Sequence, residues 1–187
     1  MEDMKEIIFF GDSLTAGYGL HSPQTESLPA LLAEKARAGG SAFHYLNAGI
    51  SGDTTSSALL RLPKLLKLPV DIFVVALGAN DMLRGYLPSS MAMNLENIVI
   101  QIKQAHPKAK ILLLGMELPT WITAQRASQY RNIYVSLAEK YELAFLPFLL
   151  DGVIGIRHLN LPDLVHPNAQ GYKMIGERVW PLLKGLL

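Results

Sequence analysis

The stretch Ile7-Ile8-Phe9-Phe10-Gly11-Asp12-Ser13-Leu14-Thr15 decides how the chain reads. Its first half is continuously apolar and rich in β-branched and aromatic side chains, the pattern of a strand covered on both faces. Its second half breaks into glycine, aspartate and hydroxyl residues, where such a strand must turn. The same change from apolar to polar or glycine-rich recurs after residues 43–47, 72–77, 111–114 and 144–146. Helix-length segments lie between and after these runs, at residues 27–38, 54–67, 89–106, 124–141 and 167–183. Alternating strands and helices with short connections predict an α/β fold, a three-layer α/β/α sandwich on an open parallel sheet. Gly39-Gly40 and Pro107 mark helix ends, and Pro167 suits the first turn of the last helix. Pro63 is expected to kink or split the second. Residues 148–162 read as a long loop.

Outward from that frame, 187 residues predict one domain spanning 1–187, long enough to bury a core without covalent or metal staples. The absence of cysteine agrees, and it removes disulfide scaffolds, thiolate zinc sites and cysteine nucleophiles. A 50% apolar, 18% charged composition excludes intrinsic disorder. With 17 Lys+Arg against 16 Asp+Glu, the net charge of +1 makes nucleic acid and acidic membrane surfaces poor partners, so a small-molecule ligand is expected. No apolar run approaches the roughly 18 residues a membrane span needs, so no stable membrane insertion is expected. The polar start, Met1 to Glu6, carries no signal peptide in the sequence as given. Location stays open: cytoplasmic as the sequence is given, periplasmic or secreted if a leader has been removed. Oligomeric state is not readable from the sequence.

In open parallel sheets ligands bind outside the carboxyl ends of the strands, and the polar residues there form a chemical set. Ser13 follows the first strand, at the start of a turn or helix. A serine nucleophile needs a base, and the base needs an orienting group. Asp163-Leu164-Val165-His166-Pro167 offers both, because one helical turn at that spacing brings carboxylate and imidazole to the same side. An acyl-transfer oxyanion needs donors. Asn80 supplies an amide after the central strand, and Gly52 supplies an unobstructed backbone N–H after the second. Taken singly these are ordinary features: Gly-Asp-Ser is turn chemistry, Asn80-Asp81 and Asp163 suit helix caps, and the glycines suit positive φ. Their conjunction at one edge of one sheet is what points to catalysis.

These residues resemble the SGNH hydrolases, also called GDSL esterases and lipases. The four blocks are Ile8 to Tyr18, Asn47 to Thr54, Gly78-Ala79-Asn80-Asp81 and Asp163 to Pro167, spanning residues 8–167. Within the family the chain is most similar to the small bacterial group of arylesterases and multifunctional thioesterase–lysophospholipases. The resemblance implies a five-stranded parallel sheet in flavodoxin-like order and no cofactor or metal. It implies Ser13 as nucleophile, His166 as base and Asp163 as its orienter, with the N–H of Ser13, Gly52 and Asn80 forming the oxyanion hole. Two glycines occur in the second block; the family's donor aligns to Gly52, next to Asp53-Thr54, with Gly49 as the alternative. Asp12 and Asp81 read as structural acceptors of backbone N–H groups.

The expected activity is therefore a serine esterase acting on aryl or short-to-medium acyl esters, or on thioesters or lysophospholipids. Leu83, Leu118, Pro119 and Trp121, on loops beside the serine, suit an apolar acyl or aryl group; the bland reading is that they cap the core. Arg84, Arg126 and Arg157 face either a charged head group or water. A carbohydrate deacetylase would share every catalytic residue. A flavodoxin-like phosphate- or flavin-binding module would use Ser13, Thr15, Gly17 and Gly19, but the loop matches neither phosphate-binding glycine motif and leaves Asp163 and His166 unexplained. The five histidines form no ligand pair at i, i+3 or i, i+4, which disfavours a metallohydrolase.

Overall fold

The computed structural model describes residues 4–118 and 126–187. Strand β1 (Lys5–Gly11) leads into the short helices α1 (Ser13–Ala16) and α2 (Pro23–Glu26), then α3 (Leu28–Ala38). Next come β2 (Phe43–Gly49), α4 (Thr55–Leu65), β3 (Ile72–Ala76), α5 (Ala79–Leu83), α6 (Pro88–Ala105) and β4 (Lys110–Leu114). The chain ends with α7 (Ala127–Tyr141), β5 (Ala144–Leu146), a single 3₁₀ turn (Arg157–Leu159) and α8 (Ala169–Lys184). All strand pairs are parallel, in the order β2-β1-β3-β4-β5. This is the expected flavodoxin-like order, with the reversal between β1 and β3. Registers such as Phe10↔Ala48 and Phe10↔Val75 bring the carboxyl ends of β1, β2 and β3 level, so that the turns after them meet.

The inner strands are as dry as their composition requires: Phe9, Phe10, Phe73, Val75 and Leu112 are buried between helices on the two faces. The edge strand β2 departs from the expected double cover, with His44, Tyr45 and Leu46 exposed. Helix ends follow the local chemistry. Pro29 sits in the first turn of α3, Asn168 caps α8 through the N–H groups of Gln170 and Gly171, and Thr54 with Ser57 forms a capping box on α4.

One proline expectation is narrowed and one corrected. Pro63 does not split its helix: α4 runs through it to Leu65, and the Leu66 N–H still reaches the Leu62 carbonyl. A proline in the last turn forfeits one bond at a helix end, where few follow. Pro167 does not open the last helix. It pairs with Asn160 in an isolated antiparallel bridge, and the helix starts after Asn168, whose side chain caps it better than a proline fixes its first turn. Among the described residues no helix is long and apolar enough to cross a membrane, and no group of His, Asp and Glu is placed to hold a metal ion.

Candidate active site

The turn after β1 places Ser13 at the first position of α1. There the Asp12 side chain accepts from the Leu14 N–H (3.0 Å), and the Ser13 N–H itself donates to no other described residue. From α8 the Tyr172 hydroxyl donates to the Leu14 carbonyl at 2.8 Å, holding the same turn. The Ser13 hydroxyl lies 2.9 Å from His166 Nε2, and His166 Nδ1 lies 2.7 Å from Asp163 Oδ2. A carboxylate can only accept, so Nδ1 carries the proton and Nε2 is left to accept from the serine.

Asp163 and His166 meet by a route other than the helical turn expected. They sit in an irregular loop, because Asp163 Oδ1 accepts from the N–H groups of both Val165 and His166, at 2.9 Å each. The turn requires Leu164 at φ +61°, a left-handed conformation that side chains avoid. One carboxylate oxygen thus shapes the loop and the other orients the imidazole. Partial burial works against charge on Asp163, but the N–H groups of His166 and Val165, together with the His166 ring, outweigh it and hold the carboxyl below its ordinary range.

The turn after β2 distinguishes the two glycines. The Gly49 N–H is consumed by the Asn47 side chain (3.0 Å), and a Cβ at Gly49 would overlap the backbone of Ala16. Gly49 is therefore a packing position between β2 and α1. Residues Ile50-Ser51-Gly52-Asp53 form a β-turn closed by Asp53 N–H to Ile50 O (3.1 Å), with Gly52 at φ +83°. Positive φ at only the third residue is type II geometry, and the Gly52 N–H donates to no other described residue. The turn is anchored by Ile50 N–H to the Gly11 carbonyl, and by Asp53, which takes Arg61 Nε at 2.6 Å and the Ser57 hydroxyl at 2.7 Å. Arg61 also donates to the Gly11 carbonyl (3.0 Å) and covers the Phe10 ring.

Asn80 stands in the first turn of α5, its Nδ2 donating to the Asp53 carbonyl at 2.9 Å and lying 3.4 Å from Asp12 Oδ2. One amide N–H is fully committed to the Gly52 turn. The other has only the long contact to Asp12. Asp81 accepts from the N–H and hydroxyl of Thr55, at 2.8 and 2.6 Å, which ties α5 to α4. Asp12 is 1% exposed, and its burial, with the charges of Asp53 and Asp81 nearby, raises its carboxyl to about 7 despite the Leu14 N–H.

Some features were not visible in sequence. Tyr18, quoted there only as part of a motif, lays its ring 4.8 Å from the His166 imidazole. Arg84 Nη2 donates to the Gly52 carbonyl (2.9 Å), and Arg126 Nη1 to the Gly85 carbonyl (3.1 Å). Arg157 makes no side-chain hydrogen bond to the described residues. Of the apolar residues expected beside the serine, Leu83 is exposed at the end of α5, whereas Leu118 is packed in the core, the bland alternative. Pro119 and Trp121 lie outside the described residues.

The model of the GDSL-like Lipase/Acylhydrolase family matches residues 9–174. The chain belongs to this family. It is 35% identical to the esterase TesA of Pseudomonas aeruginosa over 183 residues, 97% of this chain and 89% of that one. The arylesterase of Vibrio mimicus is 33% identical over 176 residues, 94% of this chain and 86% of that one. The crystal structure of TesA superposes with a TM-score of 0.91 at 34% identity, covering 98% of this chain and 100% of the other. The α/β architecture expected from the strand pattern is thus the family's own, and the protein is a serine ester hydrolase.

Proposed function

We propose that Ser13 is the nucleophile that forms the acyl-enzyme, with His166 as general base and Asp163 as its orienter. The observation that carries this reading is the continuous chain from Ser13 Oγ through His166 Nε2 and Nδ1 to Asp163 Oδ2, at 2.9 and 2.7 Å. As Oγ attacks the ester carbonyl, Nε2 takes its proton, and Asp163 stabilises the resulting imidazolium. The N–H groups of Ser13 and Gly52 and the second N–H of Asn80 hold the oxyanion, all three being free of, or only weakly engaged with, the described residues beforehand. Collapse of the tetrahedral intermediate expels the alcohol, which takes the proton from Nε2. Water, deprotonated by the same nitrogen, then releases the acid.

For substrate we propose aryl and short-to-medium acyl esters, with thioesters and lysophospholipids as chemically related candidates. Support comes from Leu83, Tyr86 and Leu87, exposed apolar residues on the segment that follows Asn80. Such a surface suits an alkyl chain or an aryl group better than a sugar. The test is labelling with an organophosphonate ester, followed by intact mass and peptide mapping, beside hydrolysis of p-nitrophenyl esters of increasing chain length. A single adduct on Ser13, with label and turnover both lost in Ser13→Ala, is the expected result. Turnover retained by Ser13→Ala would overturn the assignment.

A further inference from the structure

The loops at the carboxyl edge of the sheet carry both signs of charge, but the two are not equally committed. The carboxylates there are engaged: Asp53 pairs with Arg61, Glu117 with Arg131, Asp151 with Arg178 and Asp163 with His166, while Glu26 accepts from the Ser22 N–H. Asp12 and Asp81 are buried and bonded to Leu14 and Thr55. The cations Arg84 and Arg126 pair with no carboxylate among the described residues. Among the described residues each makes one hydrogen bond, to a backbone carbonyl, and these fall on neighbouring segments: Arg84 on Gly52, Arg126 on Gly85. A guanidinium has five N–H donors, so each fork keeps most of its capacity. With a chain net charge of only +1, these two forks are not part of a general positive surface, and the surplus is one of uncommitted N–H donors.

Position gives the surplus its meaning. Arg84 Nη2 sits 3.6 Å from where a Cβ on Gly52 would lie, so the guanidinium is one residue's breadth from the turn whose N–H faces the proposed oxyanion. Its neighbours Leu83, Tyr86 and Leu87 are exposed and apolar. A fork of N–H donors beside an apolar surface fits a molecule with an apolar part and a planar or tetrahedral anion.

We propose that Arg84, assisted by Arg126, forms an anion subsite that selects esters bearing a carboxylate or phosphate group over neutral esters of the same shape. This rests on the reading of Ser13, Gly52 and Asn80 as the reacting centre. The gain falls on binding, because the substrate's anion is present before and during reaction.

The experiment compares p-butanoyloxybenzoate and p-butanoyloxyphenyl phosphate with the neutral methyl p-butanoyloxybenzoate. Substrates are assayed on the wild type, Arg84→Gln, Arg84→Lys and Arg126→Gln. The readout is the ratio of kcat/KM for anionic over neutral ester, compared between variants so that intrinsic reactivity cancels. Arg84→Gln should lower that ratio about tenfold, through KM, as losing a hydrogen bond to a charged group does. Arg84→Lys should keep part of the preference, Arg126→Gln should lose less, and added salt should erode it in the wild type. The anion losing more identifies the source, carboxylate or phosphate. If Arg84→Gln slows neutral and anionic esters in parallel, Arg84 only braces the Gly52 turn and the subsite is refuted. Wild-type turnover of the neutral ester with no change of ratio in any variant refutes the subsite alone. No turnover of any of the three esters by the wild type refutes the proposed aryl-ester substrate class together with the subsite.

Discussion

Replacing Gly52 by alanine tests the oxyanion turn at its most sensitive point. Nothing blocks the new methyl group sterically, the nearest atom being Arg84 Nη2 at 3.6 Å, so the effect is conformational. Holding an L-residue at φ +83° costs about 1–2 kcal/mol. The alternative is a type I turn, which suits most residues and keeps the Asp53 N–H to Ile50 O bond, but rotates the Ser51–Gly52 peptide. Arg84 does not oppose that rotation, because it grips the next peptide, at the Gly52 carbonyl. The flip therefore relieves the strain with little opposition and turns the N–H of residue 52 away from the proposed oxyanion. Losing one such donor costs about 10²–10³ in kcat, or roughly 3–4 kcal/mol of transition-state stabilisation. Steady-state hydrolysis of p-nitrophenyl butyrate should show that loss in kcat with KM changed less than about threefold, and urea unfolding should show at most about 1 kcal/mol lost. Gly49→Ala is the contrast: its methyl meets the Ala16 backbone, so it should lower stability first. Full kcat in Gly52→Ala, or a kcat loss no larger than the loss of folded protein explains, would refute the reasoning.

Leu164→Gly should relieve the left-handed strain between Asp163 and His166, raising stability by about 1 kcal/mol net of glycine's chain entropy while the ester is still turned over. A lower urea midpoint would contradict it. Asp12 binds a proton more readily in the folded chain, where its carboxyl is raised from 3.8 to about 7, than in the unfolded chain. Wild-type stability should accordingly fall, relative to Asp12→Asn, as pH rises from about 4 to 7 and then run parallel above; a constant difference across that range would speak against the burial argument. Tyr18→Ala should reduce kcat roughly tenfold by loosening the imidazole that its ring backs at 4.8 Å, and Tyr18→Phe should restore it. Equal activity in all three proteins would show that Asp163 alone suffices to hold the ring.

Alternating apolar runs and helix-length segments were enough to predict the layers, because strands buried on both faces need continuous apolar side chains and helices between them need length. The candidates Ser13, Asn80, Asp163 and His166 could be nominated from the sequence, since each stands beside a strand end or in a short motif whose chemistry is local. Pro63 and Pro167 misled because a proline's effect depends on where the helix ends, which is set by caps at Leu66 and Asn168. The choice between Gly49 and Gly52 needed the fold: both are glycines after one strand, and only the approach of Ala16 and the Asn47 amide marks one as packing and the other as turn.

By itself, then, the sequence determined the alternation, the family blocks and the residue types of the site, all properties of near neighbours along the chain. Only the tertiary structure decided what crosses from one strand end to another. It laid Tyr18 on His166, Arg84 on Gly52, and Asn80 between Asp53 and Asp12. Those contacts arise because parallel pairing of β1 with β2 and β3 brings three carboxyl ends level at the point where the strand order reverses. Each strand's apolar pattern limits its register, but which strand ends meet joins residues far apart in sequence and is settled only in the packed sheet.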